Sequence, residues 1–314
     1  MRSLALAALC AAGCIHAIEE DESTVGVVVR DCRVPGELGA PVSLEYPDRS
    51  LWIWPDAAAY VTSADEVCAA GPSLGPPILT LTAEEEAENQ ARTDGRRLVL
   101  RPTGGFAHQD VGYLFYERLI AGPGFFDEEL LGTGLCTVAP GATACERQAA
   151  FWTPDERVLD QGGVVDGDRA LVYGCRPVAS FLSPCVVTGV PLDRLSDAAA
   201  YQVWNAFSGW VDELGSASSF ADELGALTLS PWDERWLAAS VDPFTGQVYA
   251  RFSSSASGGF GHRIALFTVP RTASGFVAGG REHAGLRREP RTLHLSYAAD
   301  GLHLVTFRFH GDVE

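Results

Sequence analysis

"DRSLWIW", residues 48–54, is an aspartate that opens a turn, followed by an apolar strand with bulky side chains. Aspartate suits such turns because its carboxylate hydrogen-bonds to the nearby backbone. The same arrangement recurs four times, in copies that begin at Asp110, Asp168, Asp233 and Asp300. The five starts are separated by 62, 58, 65 and 67 residues. Each interval is long enough for a four-stranded antiparallel sheet with its turns.

Five such sheets arranged around one axis form a β-propeller, an architecture that leaves only short, protected sheet edges. The 33 Gly and 18 Pro residues also favour a turn-rich, all-β chain. A two-sheet sandwich is the rival architecture, but it does not explain five similar intervals. We therefore expect an all-β fold, a single five-bladed β-propeller domain over residues 31–312 with short helical insertions.

Two polar segments interrupt the strand pattern and predict insertions on the propeller rim. In residues 82–95, Thr82 and Glu85 have the spacing of a capping box, and Gly95 ends the segment. This pattern predicts a surface helix. Residues 195–210 begin with a candidate helix cap at Ser196 and predict one or two helical turns.

The charge of the chain restricts its partners. The 314 residues carry a formal net charge of −18, and all 23 basic side chains are arginines. An acidic chain without a basic stripe repels nucleic acid and anionic membrane surfaces. We therefore expect no nucleic-acid partner and a monomer.

The first residues have the pattern of an export signal. Residues 1–13 combine Arg2 with a short apolar stretch that is too short to span a bilayer. "AAGC", residues 11–14, resembles a bacterial lipobox with Cys14 as the lipidated residue. We expect a signal peptide over 1–13 and a lipidated tether over 14–30, with membrane contact only through the lipid. Because Ile15 is not the aspartate that retains lipoproteins at the inner membrane, we expect the outer membrane of a bacterial cell envelope; plain secretion is the alternative.

The cysteines support an oxidising compartment. Cys10 leaves with the signal peptide and Cys14 carries lipid, so six cysteines remain, and these allow fifteen pairings. Sequence order favours three local disulfides, which are Cys32–Cys68, Cys136–Cys145 and Cys175–Cys185. Six buried thiols are the alternative, and the spacing does not indicate a zinc site.

Several segments, in order, resemble the secreted bacterial proteins of domain of unknown function 4185, which are five-bladed propellers related to furanosidase-type glycoside hydrolases. "WPDA", residues 54–57, stands where that family has a Phe-Gly-Asp-Thr-like motif, and "REHAGL", residues 281–286, stands where it has a His-Pro-Glu-Leu run. Segments 111–136, 190–211 and 225–253 resemble its second blade, its third-to-fourth connection and its fourth blade. The resemblance covers roughly residues 35–310 and implies glycan processing, while the changes at Pro55, Ala57, Ala284 and Gly285 favour a non-catalytic relative.

Hydrolysis of a glycosidic bond usually needs two carboxyl groups, one to protonate the leaving oxygen and one to activate water or attack the sugar. Asp56, at the end of the aromatic strand, is the candidate base, and Glu117 is the candidate acid; the alternatives are a turn cap and an exposed strand-end carboxylate. The candidate substrate-binding residues are Trp54, Asp127, Arg251 and His283. The alternatives for the last three are a loop residue, a surface arginine and a structural histidine.

No phosphate loop is present. We expect no metal or other cofactor, although calcium in the channel remains open because carboxylates are abundant. Two functions follow. The first is a cell-envelope lipoprotein that acts on or binds a furanose-containing polysaccharide, as an arabinan-type furanosidase would. The second is a non-catalytic propeller lipoprotein that binds a glycan or a protein partner, so whether the chain is an enzyme stays open.

Overall fold

The computed structural model describes residues 25–36, 38–124, 127–157, 159–175, 183–223, 226–271 and 275–311. The predicted signal peptide and Cys14 lie outside these residues. Within them, strands dominate and two α-helices occur. The strands are β1 (Gly26–Arg33), β2 (Val42–Glu45), β3 (Ser50–Ile53), β4 (Ala58–Val61), β5 (Arg97–His108), β6 (Val111–Ala121), β7 (Glu128–Val138), β8 (Glu146–Trp152), β9 (Gly162–Asp166), β10 (Arg169–Cys175), β11 (Ser183–Pro191), β12 (Gln202–Asn205), β13 (Gly209–Val211), β14 (Ala221–Glu223), β15 (Leu227–Trp232), β16 (Arg235–Val241), β17 (Gln247–Ser253), β18 (Ile264–Thr268), β19 (Ala278–Glu282), β20 (Thr292–Ala298) and β21 (Leu302–Phe309).

These strands form five antiparallel sheets, which are the five blades of a propeller. Blade 1 is β2–β3–β4, blade 2 is β5 to β8, and blade 4 is β15 to β18. Blade 3 is built on β9–β10–β11–β12–β13, with β14 paired to β11. Blade 5 has the order β19–β20–β21–β1, so its outermost strand comes from the N-terminal part of the chain. The predicted five-bladed propeller is confirmed.

The aspartate repeat marks one hairpin in four of the five blades. Asp48, Asp110, Asp168 and Asp233 each lie in the turn between the first and second strands of their blade. Asp300 instead lies between the second and third strands of blade 5. The turn of blade 5 that matches the other four contains Arg291, which has a positive φ of 60°, as Asp110 and Asp233 do at 65° and 51°. The repeat therefore gave the right blade count, although its fifth copy lies one hairpin later.

An apolar layer lies between each pair of neighbouring blades. The opening aromatic strand contributes Trp52 and Trp54 to the layer between blades 1 and 5, where Leu302 and Leu304 of β21 face them. Trp52 is fully buried and Trp54 is 4% exposed. Burial of a large apolar side chain stabilises a fold by roughly 1.5–3 kcal/mol. This layer explains why the strand is rich in tryptophan on one face.

The ring is closed by strand pairing and by a disulfide. The β1 strand pairs with β21 from Gly26 opposite Phe309 to Arg33 opposite His303. Because β1 begins at Gly26, the last residues of the segment predicted as a tether belong to the propeller. The Cys32–Cys68 disulfide then joins β1 to α1 (Ala64–Ala70), the helix that follows blade 1.

The other two predicted disulfides lie inside single blades. Cys136–Cys145 connects β7 to the start of β8. Cys175 and Cys185 are direct cross-strand neighbours on β10 and β11. All three predicted pairings are confirmed.

The two predicted insertions take different forms. The helix α2 (Ala83–Ala91) begins at Thr82, whose side chain and that of Glu85 form the predicted capping box. It ends four residues before the predicted end at Gly95, which has a positive φ of 77°. In 195–210, a single 3-10 turn (Ala198–Ala200) is capped by Asp197 instead of Ser196, and the following residues form the β12–β13 hairpin. Among the residues that the structure describes, no helix is both long and apolar enough to cross a membrane.

Candidate functional site

The first strands of the blades follow one another around the axis, since β2 contacts β5, β5 contacts β9, β9 contacts β15 and β15 contacts β19. Arg281 on β19 reaches from blade 5 to two other blades. Its Nη1 donates to the carbonyl oxygen of Gln161 at 2.8 Å, and its Nη2 donates to that of Thr103 at 2.7 Å. Gln161 Oε1 in turn accepts from the backbone N–H of Leu227 at 2.8 Å. Arg281 and Gln161 therefore connect blades 2, 3, 4 and 5 at the inner edge of the ring.

Blades 2 and 3 approach closely at this point because two glycines face each other. A Cβ atom on Gly104 would lie 2.3 Å from the backbone nitrogen of Gly162, so a side chain there would clash. The β5 strand also has a register shift between Pro102 and Gly104. The shift leaves Thr103 with its hydroxyl 3.2 Å from the Phe115 carbonyl oxygen, to which it donates. This close contact places the Thr103 carbonyl within reach of Arg281.

Asp160 precedes β9, the first strand of blade 3, and accepts a hydrogen bond from the backbone N–H of Cys175 at 2.9 Å. Burial is the main cause that raises the pKa of Asp160, to about 6, and the nearby charge of Glu117 adds to the rise. The hydrogen bond from Cys175 and the charge of Arg281 oppose it. Burial also lowers the pKa of Arg281 to about 10, and Asp160 counteracts that shift. Near neutral pH, Arg281 is thus a cation, and a fraction of Asp160 keeps its proton.

Glu117 on β6 is the second carboxylate of this region. Its side chain is 14% exposed and forms an ion pair with Arg101, whose Nε lies 2.8 Å from Glu117 Oε2. Arg101 also contacts Glu128 Oε2 at 2.9 Å. Arg101 and Glu117 are cross-strand neighbours on β5 and β6, so the sheet register fixes their pairing.

Together these residues have the chemical features of an acid–base site. Two carboxyl groups interact electrostatically but have different surroundings, because Asp160 is desolvated and Glu117 is paired with a cation. Pairs of titratable groups in contrasting environments divide acid and base roles between them. We call Asp160, Glu117, Arg101 and Arg281 the axial cluster.

The predicted base, Asp56, lies outside the axial cluster. It is exposed in the β3–β4 turn, which is closed by the Trp54 N–H donating to the Ala57 carbonyl oxygen at 2.8 Å. Because Val42 pairs with Ile53, this turn lies at the end of blade 1 where its innermost strand begins. Trp54 is buried, and its Nε1 donates to the Gly39 carbonyl oxygen at 2.8 Å. The structure thus presents the Asp56 carboxylate to solvent and keeps the Trp54 ring in the core.

Asp127 and Arg251 are not members of the axial cluster. The Asp127 carboxylate is 3.6 Å from Arg96 Nε, and its side chain is 45% exposed. Arg251 is on β17, the third strand of blade 4, and its Nη1 donates to the Gly261 carbonyl oxygen at 3.3 Å.

His283 is fully buried in a hydrogen-bonded network between blades 1 and 5. Its Nδ1 lies 3.2 Å from Glu45 Oε1, and its Nε2 lies 2.8 Å from Ser296 Oγ. Glu45 also accepts from Ser50 Oγ at 2.9 Å and from the Gly285 N–H at 2.8 Å. Burial opposes ionisation of Glu45, but the hydrogen bonds from His283 and Gly285 and the His283 charge prevail and lower its pKa. The ring of His283 also packs on Trp52, which adds to its burial.

The sequence reasoning missed Asp160, Arg281 and Glu45. Asp160 had a usable signal, since it comes just before the Gly-Gly pair that opens the first strand of the third unit. Glu45 and Arg281 had no such signal, because their partners are distant in sequence. Within the described ranges, no group of three or more His, Cys, Asp or Glu residues is arranged to hold a metal ion.

Known structures share this fold. A candidate hydrolase from Bacteroides ovatus aligns over 89% of this chain and 87% of its own, with 14% identity and a TM-score of 0.57. The GH43_1 enzyme of Xanthomonas citri complexed with xylotriose aligns over 92% of this chain and 91% of its own, with 10% identity and a TM-score of 0.50. The native arabinanase of Bacillus subtilis aligns over 88% of this chain and 95% of its own, with 10% identity and a TM-score of 0.50.

These similarities show the fold, a five-bladed propeller of the kind found in GH43 glycoside hydrolases. No family model matches the chain, and no curated protein matches its sequence. The resemblance to domain of unknown function 4185 therefore stays a prediction. The chain is similar in architecture to a GH43_1 enzyme complexed with xylotriose and to an arabinanase.

Proposed function

We propose that this protein binds a furanose-containing polysaccharide at the axial cluster and hydrolyses its glycosidic bonds. The observation that carries the proposal is a pair of carboxyl groups in contrasting surroundings. Asp160 accepts from the Cys175 N–H and has a pKa raised to about 6, chiefly by burial, whereas Glu117 is ion-paired with Arg101. Glycoside hydrolysis usually needs one protonated carboxyl and one ionised carboxylate. A carboxyl whose pKa is raised to about 6 and a second carboxylate paired with arginine meet this requirement.

The roles follow from the surroundings of each group. Asp160 is the proposed general acid, which protonates the leaving glycosidic oxygen. Glu117, ion-paired with Arg101, is the proposed base or nucleophile. Arg281, held by two carbonyl oxygens, keeps a positive charge near Asp160 and limits the rise of the Asp160 pKa. Asp56, exposed where the innermost strand of blade 1 begins, is a proposed acceptor for sugar hydroxyls.

The fold similarity supports the substrate class. Arabinanase is among the similar structures, and another is a GH43_1 enzyme complexed with xylotriose. Arabinan and xylotriose are both built from pentose sugars. The proposed preference of this protein is for pentoses in the furanose form. The lipid anchor at Cys14 and the outer-membrane location belong to the same proposal, since they would hold the propeller where extracellular glycans arrive.

A second candidate function is non-catalytic glycan binding. It is favoured by the hydrogen bonds that already occupy the cluster, because Asp160 accepts from Cys175 and Arg281 is tied to Thr103 and Gln161. A group committed to structural bonds has less freedom to exchange a proton with substrate.

Digestion of a glycan panel by the purified mature protein separates the two functions. The panel contains arabinan, arabinoxylan, galactan and xylan, and products are identified by mass spectrometry while binding is measured by calorimetry. Cleavage confined to furanose-containing glycans supports hydrolysis. Binding without cleavage assigns the non-catalytic role, and the absence of both contradicts the proposal.

A further inference from the structure

A cavity lies away from the axial cluster, between blade 5 and the start of α1. Its volume is about 230 Å³. Its walls come from β1, β20, β21 and the segment between β19 and β20. Pockets that enclose drug-sized ligands run to roughly 300–1,000 Å³. The space therefore suits a single small ring.

The cationic side chains in its wall are Arg30, Arg288 and Arg308, in a chain whose net charge is −18. Asp65 and Glu289 also line it, paired with Arg30 and Arg308. Both pairs are between 43% and 79% exposed. Exposed pairs of this kind contribute little stability, so their arginines can turn to another anion at low cost.

Arg288 is the cation that lacks a counter-charge. Its guanidinium donates to the carbonyl oxygens of Asp48 at 2.6 Å, Gly285 at 3.0 Å and Thr62 at 3.1 Å. These bonds fix its position but do not neutralise it, and no carboxylate pairs with it among the described residues. Three arginines and two carboxylates leave one positive charge in the wall, which matches a singly charged anion.

Neutral polar groups complete the wall. His294 is 8% exposed and its Nδ1 lies 3.0 Å from Thr306 Oγ1, while its Nε2 has no hydrogen-bond partner among the described residues. Thr292 and Ser63 add hydroxyls, and Leu286 adds an apolar surface. Hydroxyl-bonding groups beside one uncompensated cation favour a polyhydroxylated monoanion.

We infer that this cavity is a binding site for a uronate sugar, whose carboxylate lies against Arg288 and Arg308 and whose hydroxyls meet His294 and the threonines. The site is independent of the axial cluster and does not require the chain to be a hydrolase. The uronate is either a free sugar acid or the terminal unit of an acidic glycan.

Ligand binding is coupled to the protonation of His294, so the His294 pKa reports on binding at this site. Burial is the first cause that lowers the pKa of His294, to about 4, and the charges of His283, Arg287, Arg30 and Arg288 lower it further. The groups facing it from neighbouring elements also include Arg308, Glu289 and Asp65. A bound carboxylate offsets the positive field, so ligand must raise this pKa, and binding must tighten as pH falls towards it.

The test is calorimetric titration with glucuronate, glucose and acetate, together with NMR titration of the histidine rings. We expect glucuronate to bind at least tenfold more tightly than glucose or acetate and to raise the His294 pKa. Arg308→Gln should weaken glucuronate binding about tenfold, and Arg288→Gln should weaken it more. Arg194→Gln, a matched change at an exposed arginine paired with Asp197, should leave it unchanged.

Several results overturn the inference. These are equal binding of glucuronate and glucose, equal binding of acetate, an unchanged His294 pKa, or equal effects of Arg308→Gln and Arg194→Gln. If Arg288→Gln fails to fold, Arg308→Gln and the His294 titration still decide the matter. A disaccharide ending in glucuronate identifies the source, since tighter binding than the free acid indicates a glycan end and weaker binding indicates the free sugar acid. Binding to Asp160→Asn should match wild type, which separates this site from the axial cluster.

Discussion

Arg281 Nη2 donates a hydrogen bond to the carbonyl oxygen of Thr103 at 2.7 Å, and this bond joins the innermost strand of blade 5 to that of blade 2. The same guanidinium holds the Gln161 carbonyl of blade 3. One side chain therefore ties three blades together near Asp160, the proposed general acid, and its loss should affect both the stability of the fold and the acidity of Asp160.

Replacing Arg281 by methionine keeps much of the side-chain length but removes the donors and the charge. The carbonyls of Thr103 and Gln161 lose their partner, and an unsatisfied buried acceptor costs about 1–3 kcal/mol. We expect the free energy of unfolding in urea to fall by about 2–4 kcal/mol. Arg194→Met, at an exposed site, should cost less than about 1 kcal/mol. Equal losses in the two variants would show that the inner ring does not depend on Arg281.

Asp160→Asn should change how stability depends on pH. Wild-type Asp160 holds its proton up to about pH 6 in the native state, whereas the unfolded chain releases it near 3.8. The native state thus binds more protons between these values, and wild-type stability falls as pH rises through them. The difference of about two pKa units between the native and unfolded states corresponds to roughly 2–3 kcal/mol of unfolding free energy.

The asparagine variant lacks this loss, so its stability relative to wild type should improve by that amount between pH 4 and pH 7. Thermal unfolding at a series of pH values measures the difference. A constant difference across the range would mean that Asp160 is not perturbed.

Glu45→Gln should show the opposite dependence. Burial raises the Glu45 pKa, but the hydrogen bonds from His283 and Gly285 and the charge of His283 outweigh it and lower the pKa below 4.5. The stability that this carboxylate contributes is therefore present above pH 4.5 and is lost as pH falls through the native pKa. At pH 7 we expect the variant to be about 1–3 kcal/mol less stable than wild type, with a smaller gap at pH 3. Glu234→Gln, in an exposed turn, is the control, and a gap that widens in acid would refute the assignment.

The Cys32–Cys68 disulfide should stabilise the fold more than Cys136–Cys145 does. Cys32 and Cys68 are 36 residues apart, whereas Cys136 and Cys145 are 9 apart. In the chain-entropy model, the longer loop gives a stabilisation of about 4 kcal/mol and the shorter loop about 3 kcal/mol. The Cys32–Cys68 disulfide also fastens the closing strand to the helix after blade 1. Paired Cys→Ala variants compared by chemical unfolding test this ranking. A larger loss from the Cys136/Cys145 variant would contradict it.

Much of the fold was accessible from sequence because its signals are local. Asp48, Asp110, Asp168 and Asp233 open equivalent hairpins, and their spacing revealed the blade size. In blade 5, Arg291 occupies the turn between the first and second strands. The fifth aspartate of the repeat, Asp300, therefore lies one hairpin later. The disulfides followed from order along the chain, since each joins neighbouring cysteines.

The site was less accessible because its contacts are not local. Arg281 and the carbonyl of Gln161 are 120 residues apart, and only ring closure brings them together. Glu117 was predicted as a strand-end carboxylate, but it lies inside β6, paired with Arg101 and Thr133, and Asp160 was passed over in its loop. The prediction for Trp54 rested on its place beside a candidate base. The apolar layer between blades 1 and 5 explains that aromatic residue equally well.

The most direct test of the proposed mechanism compares two substrates that differ in leaving-group ability. Arabinan needs protonation of its leaving oxygen, whereas nitrophenyl arabinofuranoside does not. General acid catalysis contributes about 10²–10⁴-fold. We predict that Asp160→Asn lowers kcat/KM on arabinan by that factor but has a much smaller effect on the nitrophenyl substrate, while Glu117→Gln impairs both. Equal losses on the two substrates in Asp160→Asn, or full activity in either variant, would contradict the assignment of the axial cluster as an acid–base pair.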